Sequence, residues 1–192
     1  ILLDVYAIVY LGLTRLVHGL AERNISIVIT IETKVLLDAF LEDIYRDDYM
    51  TLGIDKESGK LLITTAEQVQ AETKDVQFAI KRVLEMAEIV APRMVDMPPE
   101  IVSIRDSLDA SVYSSLALSI SNDMPWLCVD PTFAQLSIYM NYPVANALQF
   151  FMSLSVIVDF EKKLLGLYRH VSCGLPFPLV FEDLLQLGRS ED

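Results

Sequence analysis

Cysteine and glycine are scarce in this chain, and their scarcity excludes several kinds of site. The sequence of 192 residues contains two cysteines and seven glycines. Cys128 and Cys173 form neither a zinc-binding spacing nor a disulfide framework, so a reducing cytoplasm is the simpler expectation. No glycines form the GxGxxG or GxxxxGK pattern of a phosphate-binding loop, and the Gly-x-Ser-x-Gly elbow of an α/β-hydrolase is missing as well.

Histidine and positive charge are also in short supply. His18 and His170 have no obvious carboxylate partner, so we interpret both as structural or surface residues rather than as a catalytic base. The 15 Lys and Arg residues are outnumbered by 27 Asp and Glu residues, which gives a net charge of −12. Nonspecific binding to nucleic acid draws its affinity from Lys and Arg against phosphate, so this composition argues against tight binding of that kind.

No apolar run is long enough to predict a membrane span. The most apolar part of the longest charge-free stretch is Leu148 to Val158, whereas a spanning helix needs about 20 residues. A secretory signal is not visible either, because no basic segment precedes an apolar core and a cleavage site. The chain begins at Ile1, without Met and within a predicted strand, so the sequence leaves open whether it is a piece of a longer protein.

Short apolar strands alternate with amphipathic helices along the chain. Strands are predicted at 1–5, 25–30, near 101–104 and at 126–129, with a small hairpin around Ser58-Gly59. Helices are predicted at about 7–24, after Thr30, at 66–91, from Asp109, from Pro131, after Pro143 and at 181–187. This order predicts a three-layer α/β/α sandwich with a mainly parallel sheet. We expect one domain over 1–192, with a core of about 1–145 and a helical C-terminal extension of about 146–192.

Four acidic residues lie at the ends of these strands or at the starts of helices. Asp4 follows the first strand, and Asp130 follows the last. Glu32 opens the helix after the second strand, and Asp109 opens another helix. An Asp at any one of these places is also a common helix cap. The carboxyl ends of parallel strands share one edge of a sheet, however, and carboxylates crowded there repel unless a divalent cation binds them. The set of four therefore predicts a site for Mg²⁺ or Mn²⁺.

On these residues the chain resembles the PIN domain nucleases, over roughly residues 1 to 145. The resemblance implies a carboxylate cluster that binds Mg²⁺ or Mn²⁺ and hydrolyses phosphodiester bonds, with single-stranded RNA as the substrate. Asp4 in Ile-Leu-Leu-Asp, Asp109 in Ser-Leu-Asp-Ala and Asp130 in Leu-Cys-Val-Asp are similar to the metal ligands of the family. Glu32 is similar to the residue that orients a water or completes a second metal site. Asp106, one turn before Asp109, is placed to assist Asp109 as a ligand or to compete with it for the third position.

Two further features refine this resemblance. The opening segment 3–11 and the helical tail are most similar to PIN-like domains at the end of large multidomain bacterial proteins, which implies other domains of a longer parent chain as partners. The chain also departs from the family pattern. Val5 and Tyr6 stand where a Thr or Ser and a small polar residue usually follow the first Asp, and Val129 stands where a Thr or Ser often precedes the fourth.

Three functions remain open from the sequence. The first is a metal-dependent ribonuclease, and the second is a non-catalytic PIN-like interaction module within a larger protein. The third is a doubly wound phosphatase or response-regulator domain with Asp4 as its nucleophile, which is disfavoured because no Asp-x-Asp motif follows the first strand and no convincing Lys partner is present. The oligomeric state is left open.

Overall fold

The computed structural model of the protein describes residues 1–46, 48, 50–55, 58–92 and 97–189. The strands in these residues are β1 (Leu2–Leu3), β2 (Val28–Thr30), β3 (Thr51–Ile54), β4 (Leu61–Thr64), β5 (Glu88–Val90) and β6 (Trp126–Leu127). The helices are α1 (Val5–Leu13), α2 (His18–Glu22), α3 (Ile31–Ile44), α4 (Ala66–Glu72), α5 (Lys74–Met86), α6 (Pro99–Ser103), α7 (Ala110–Asn122), α8 (Pro131–Tyr139), α9 (Ala147–Ile157), α10 (Phe160–Cys173) and α11 (Phe181–Arg189). A short 3-10 turn, Arg105–Ser107, lies between α6 and α7.

Four of these strands form one parallel sheet in the order β5-β2-β1-β6. β1 lies in the middle, where Leu2 pairs with Val28 on one side and with Trp126 on the other. The strands are short apolar runs, as expected for parallel strands that are covered on both faces. The predicted mainly parallel sheet is confirmed.

The two faces of the sheet carry separate hydrophobic clusters, because successive residues of a strand point to opposite sides. Leu3 and Leu127 belong to a cluster that includes α1 and α5. Leu2 and Trp126 belong to the other cluster, together with Leu116 of α7. Helices thus cover both faces, and the predicted α/β/α architecture is confirmed.

The helices of the C-terminal segment pack onto the first of these clusters. Phe151 and Leu154 of α9 and Leu167 of α10 are buried in it. α10 approaches the end of α1 closely, since a Cβ on Gly166 would lie 2.7 Å from the carbonyl oxygen of Thr14. A side chain at this position is therefore excluded, and the close approach depends on glycine.

Three predicted starts of helices and the predicted hairpin are confirmed. Thr30 caps α3 by accepting a hydrogen bond from the Thr33 backbone N–H at 3.1 Å. α7 begins after Asp109, and α8 begins at Pro131, where the ring of proline suits the first helical position. The hairpin consists of β3 and β4, which pair in antiparallel fashion, and its turn contains Gly59 with φ +67°.

The single helix predicted over 7–24 is wrong, because the chain forms α1 and α2 instead. Arg15, between them, has φ 59°, a left-handed conformation that ends a right-handed helix. Its guanidinium Nε donates to Asp75 Oδ1 at 2.9 Å, so a contact with α5 holds this residue in place.

The helix predicted over 66–91 and the strand predicted near 101–104 are also wrong. The first region forms α4 and α5, and its last residues leave the helix to become β5, in which Ile89 pairs with Ile29 of β2. Pairing along the sheet overrides the helical periodicity there. The second region is α6, which starts with Pro99 and buries Ile101. None of the helices in the described residues is long and apolar enough to cross a membrane.

Candidate functional site

Three of the predicted acidic residues cap the helices that follow them. Asp4 Oδ1 accepts a hydrogen bond from the Ala7 N–H at 2.8 Å, and Asp109 Oδ1 accepts one from the Ser111 N–H at 2.8 Å. Asp130 Oδ1 accepts hydrogen bonds from two backbone N–H groups of α8, at 2.8 and 2.9 Å. The free N–H groups and the dipole of a helix start favour a carboxylate at these positions. Capping alone therefore accounts for an Asp at each of the three places.

The same three carboxylates line one pocket of about 380 Å³, which we call the acidic pocket. Asp4 lies at the end of β1, Asp109 at the start of α7 and Asp130 beyond the end of β6. Trp126 and Cys128 form part of the wall. The parallel sheet thus brings together residues that are far apart in the sequence, at the edge where ligands bind in open α/β folds.

Asp4 is the most buried of these carboxylates, at 2% exposure. Burial raises the pKa of Asp4 from 3.8 to about 6, although hydrogen bonds from the backbone of Ala7 and from the indole of Trp126 act in the opposite direction. The negative charge of Asp109 adds to the increase in this pKa. Asp4 therefore holds its proton up to a pH of about 6 unless a positive charge enters the pocket.

Cys128 cannot serve as a nucleophile in the acidic pocket. Burial, together with the charges of Asp4 and Asp130, raises the pKa of its thiol to about 12. The side chain is therefore a thiol rather than a thiolate at neutral pH, and the thiolate is the reactive form. His18 and His170 do not line this pocket either: His18 packs on the ring of Phe78, and His170 contacts the carbonyl of Leu175.

Glu32 and Asp106 face a different cavity. They line a neighbouring space of about 610 Å³, which we call the Glu32 pocket, together with Arg105 and Tyr113. Leu108 lies on the walls of both cavities. The structure thus brings Asp4 together with the caps of α7 and α8, and it places the other two predicted site residues in an adjoining pocket.

Comparison with known families identifies the family of this chain. The family model of the PIN domain associated with the TPR-GreAB-C-PIN system matches residues 2–137. The chain belongs to this PIN domain family. The match runs from β1 into α8 and includes all five predicted acidic residues. Comparisons with curated proteins and with solved structures found no match.

A buried network of hydroxyl groups in this PIN domain was missed by the sequence analysis. Thr33 Oγ1 lies 2.9 Å from Thr30 Oγ1 and 2.8 Å from Ser111 Oγ, and Thr30 Oγ1 lies 2.7 Å from Ser114 Oγ. This hydroxyl network, formed by Thr30, Thr33, Ser111 and Ser114, joins the start of α3 to α7. The i, i+3 spacing of hydroxyl residues at both helix starts was the available signal, because such residues share one helix face.

The hydroxyl network helps to explain the position of Glu32 and the absence of a Thr or Ser after Asp4. Thr33 occupies the position of α3 that faces α7, and the preceding residue, Glu32, is rotated away from it by roughly 100° around the helix axis. Ser111 also accepts a hydrogen bond from the Val5 N–H at 2.9 Å. The hydroxyl of Ser111, on α7, thus lies beside Val5. Val5 is the residue after Asp4, a position at which the family usually has Thr or Ser.

The fit of a divalent cation to this PIN domain depends on how many protein ligands the ion requires. In the described part of the chain, no group of three or more His, Cys, Asp or Glu side chains is arranged to hold a metal ion. Mg²⁺, however, usually keeps several waters and is bound by one or two carboxylates plus substrate phosphates. Asp4 and Asp109, whose charge adds to the raised pKa of Asp4, provide such a pair. The acidic pocket therefore fits a largely hydrated ion rather than one enclosed by protein ligands.

Proposed function

We propose that this PIN domain hydrolyses phosphodiester bonds of single-stranded RNA at the acidic pocket, with Mg²⁺ or Mn²⁺ as its cofactor. The observation that carries the proposal is the convergence of Asp4, Asp109 and Asp130 on one pocket. Three carboxylates that cap separate helices would repel one another there, and a divalent cation offsets this repulsion. Membership of the PIN domain family supports a nuclease of this kind.

The three carboxylates have related roles in this proposal. Asp4 and Asp109 would hold the ion, and Asp130 would complete its acidic surroundings. A bound divalent ion lowers the pKa of a coordinated water and stabilises the charge that develops on the phosphate. Because burial raises the pKa of Asp4 to about 6, this carboxyl must lose its proton before it can hold a cation, so we expect cation binding to weaken below that pH. Glu32 lines the neighbouring pocket, so its role in orienting a water or completing a second metal site stays a prediction.

Arg105 is the side chain best placed to contact the RNA backbone. Among the described residues that line the two pockets, it is the only one with a positive charge. Lys34, by contrast, is engaged by Asp38 on the surface of α3. The RNA is therefore expected to enter past Arg105 and to be held chiefly by the cation.

The proposal is tested by cleavage of a single-stranded RNA oligonucleotide with Mn²⁺, with EDTA as the blank. We expect Asp109→Asn and Asp130→Asn to lower the rate by roughly 10- to 100-fold, because each removes a charge from the ion's surroundings. Asn caps a helix about as well as Asp, so both variants are expected to keep their fold, which circular dichroism checks. Cleavage that persists in both variants would refute the proposal.

A second function, that of a non-catalytic module in a larger protein, is favoured by one specific observation. Both oxygens of Asp4 already accept hydrogen bonds from within the protein, one from the Ala7 N–H and one from the Trp126 indole. The association of the family with the TPR-GreAB-C-PIN system supports a place beside other domains. A module of this kind would show no saturable binding of Mn²⁺, whereas the ribonuclease requires it.

A further inference from the structure

The wall of the acidic pocket offers no positive charge to a strand of RNA. None of the described residues that line it is Lys, Arg or His, whereas three are Asp. The chain as a whole has a net charge of −12. Affinity for nucleic acid normally comes from Lys and Arg against phosphate, and this wall does not supply it. RNA that reaches the acidic pocket therefore needs a source of affinity besides the cation.

Apolar side chains make up most of the rest of the wall. They are Tyr6, Leu108, Val112, Trp126, Val129 and Phe133. The space of about 380 Å³ falls in the range of small-molecule sites, roughly 300 to 1,000 Å³. An apolar wall beside three carboxylates suits a ligand that has a flat apolar part next to a group held by a cation. A nucleotide has this character, in its base and its phosphate.

Tyr6 is the aromatic side chain of this wall that a ligand can reach. It lies in the first turn of α1, two residues after Asp4, and is 53% exposed, whereas Trp126 is fully buried. The ring of Phe133 packs edge-on against the Trp126 indole. Within the described part of the chain, no other ring and no cation packs on the ring of Tyr6. This ring is therefore available as a stacking surface.

We propose that the acidic pocket binds an unpaired base of the RNA beside the scissile phosphate, with the ring of Tyr6 as the surface on which the base stacks. This inference rests on the proposed ribonuclease function and adds a specificity-determining residue to it. Aromatic side chains bind single-stranded nucleic acid in this way, and each of the bases has a face that can stack. The bases of a duplex are already stacked within it, so the site selects unpaired bases and tolerates their identity.

The start of α1 connects base binding to cleavage. Asp4 caps this helix by accepting a hydrogen bond from the Ala7 N–H, and Tyr6 lies in the turn that is capped. The stacking ring and a carboxylate that would hold the cation are thus fixed to the same helix start. One ribose separates a base from its own phosphate, so a single nucleotide can place its base on Tyr6 and its phosphate by the carboxylates.

A cationic side chain of a protein partner is the other ligand that this wall could attract, because carboxylates and the face of an aromatic ring both favour cations. Membership of the PIN domain family favours RNA over such a partner. The two ligands also respond differently to salt. Attraction between charges is screened at high salt, whereas the stacking of a base on a ring does not depend on net charge.

The test is equilibrium binding of a dye-labelled adenylate pentamer, measured by fluorescence anisotropy in EDTA and about 1 M KCl, where charges are screened beyond about 3 Å. An abasic pentamer with the same ribose-phosphate backbone is the reference, so the difference between the two reports the bases. We expect the adenylate pentamer to bind about 10-fold or more tightly than the abasic one, as stacking on an aromatic ring implies. The same adenylates paired in the stem of an RNA hairpin should bind no better than the abasic pentamer.

Variants of Tyr6 make this test specific. Tyr6→Ala should lose the preference for the adenylate pentamer, and Tyr6→Phe, which keeps the ring, should retain it. Tyr6→Leu keeps apolar bulk without the ring and should also lose the preference, so a folding defect of Tyr6→Ala would not decide the outcome. Tyr139→Ala is the matched control, because Tyr139 is 88% exposed on α8 and does not line the acidic pocket. Equal binding of the two pentamers, no binding of either, or a preference that survives in Tyr6→Ala and Tyr6→Leu would overturn the inference.

The failure of this inference is distinguishable from the failure of the proposed function, because binding is measured without a divalent cation. With Mn²⁺, Tyr6→Ala should raise the KM for RNA cleavage by about 10-fold or more and leave kcat nearly unchanged, as the loss of a contact made equally in the ground and transition states implies. RNA cleavage without base-dependent binding would refute the stacking role of Tyr6 and leave the nuclease intact. Base-dependent binding without cleavage in any condition would refute the nuclease and leave the base site.

Discussion

The indole N–H of Trp126 donates a hydrogen bond of 3.0 Å to Asp4 Oδ2, across 122 positions of the chain. Trp126 is fully buried in β6, and Asp4 ends the neighbouring strand, β1. The bond fixes the direction of a carboxylate that has little access to water. Asp4 is thus oriented both by the sheet, through Trp126, and by the start of α1, through the Ala7 N–H.

Trp126→Phe should lower the free energy of unfolding by more than the smaller ring alone would. In the wild type the ring of Phe133 packs edge-on against the indole, with 5.7 Å between the ring centres. The variant keeps an aromatic ring at this position but removes the N–H donor. An acceptor left unpaired inside a protein costs about 1–3 kcal/mol, and we expect the free energy of unfolding to fall by about that amount. Urea denaturation at pH 7.5 measures the loss.

A double-mutant cycle with Asp4→Asn separates the hydrogen bond from packing. If Trp126→Phe lowers the stability equally in the wild-type and the Asp4→Asn backgrounds, the indole does not interact with the carboxylate energetically. A smaller loss in the Asp4→Asn background is the expected result.

The stability of the protein should depend on pH through Asp4. Its pKa is raised from 3.8 to about 6 in the folded state, so between these values the folded protein binds a proton that the unfolded chain does not. The free energy of unfolding therefore falls as the pH rises from about 4 to about 6 and remains lower above it. The difference between the two pKa values corresponds to about 3 kcal/mol for this buried group.

Asp4→Asn isolates this contribution from those of the other carboxylates. The variant should lack the part of the pH dependence that lies between about 4 and 6, because its side chain does not titrate. Urea midpoints measured across that range for both proteins provide the test. Parallel curves would mean that the pKa of Asp4 is close to its ordinary value in the folded state.

The parallel core was predictable because its patterns are local. The continuous apolar run before Thr30 is typical of a strand covered on both faces, and Pro131 directly after Asp130 marks the start of a helix. The elements that were predicted wrongly depend on distant contacts. β5 exists because it pairs with β2, and the break after α1 is held by Arg15 and Asp75, which are 60 positions apart.

In the candidate site, too, some features were predictable from local patterns and others depend on contacts between distant residues. The sheet topology brings Asp4, Asp109 and Asp130 to one edge, as their places beside strands and helices predicted. The direction of Glu32 could not be predicted in this way, because one step along a helix turns a side chain by roughly 100°. Thr33, not Glu32, meets the hydroxyl of Ser111 on α7.

Asp130 allows the capping role of a carboxylate to be separated from its role in holding a cation. Asp130→Ala removes the acceptor for two backbone N–H groups of α8 and should lower the free energy of unfolding by about 1 kcal/mol. Asp130→Asn keeps an acceptor oxygen and should be nearly as stable as the wild type. Thermal unfolding of the two variants measures the difference, and equal stability would show that the cap contributes little.

The stability of the C-terminal helices α10 and α11 should depend on a buried ion pair. Lys163 Nζ lies 2.5 Å from Asp183 Oδ1, with both side chains 3% exposed, and it also donates to the Ser155 carbonyl at 2.8 Å. Lys163→Met leaves the Asp183 carboxylate buried without its counter-charge and should cost about 3–5 kcal/mol. Urea denaturation measures this loss. The double variant Lys163→Met/Asp183→Leu should recover much of the stability, and a double variant no more stable than Lys163→Met would contradict this account.

The most direct test of the central claim is a calorimetric titration of the protein with Mn²⁺ at pH 7.5, beside Asp130→Asn. This variant keeps the cap of α8 but loses one charge from the acidic pocket. The account predicts saturable binding to the wild type and binding that is weaker by about 10-fold or more in the variant. A wild-type protein that takes up no Mn²⁺, or a variant that binds it equally well, would contradict a metal-dependent centre at Asp4, Asp109 and Asp130.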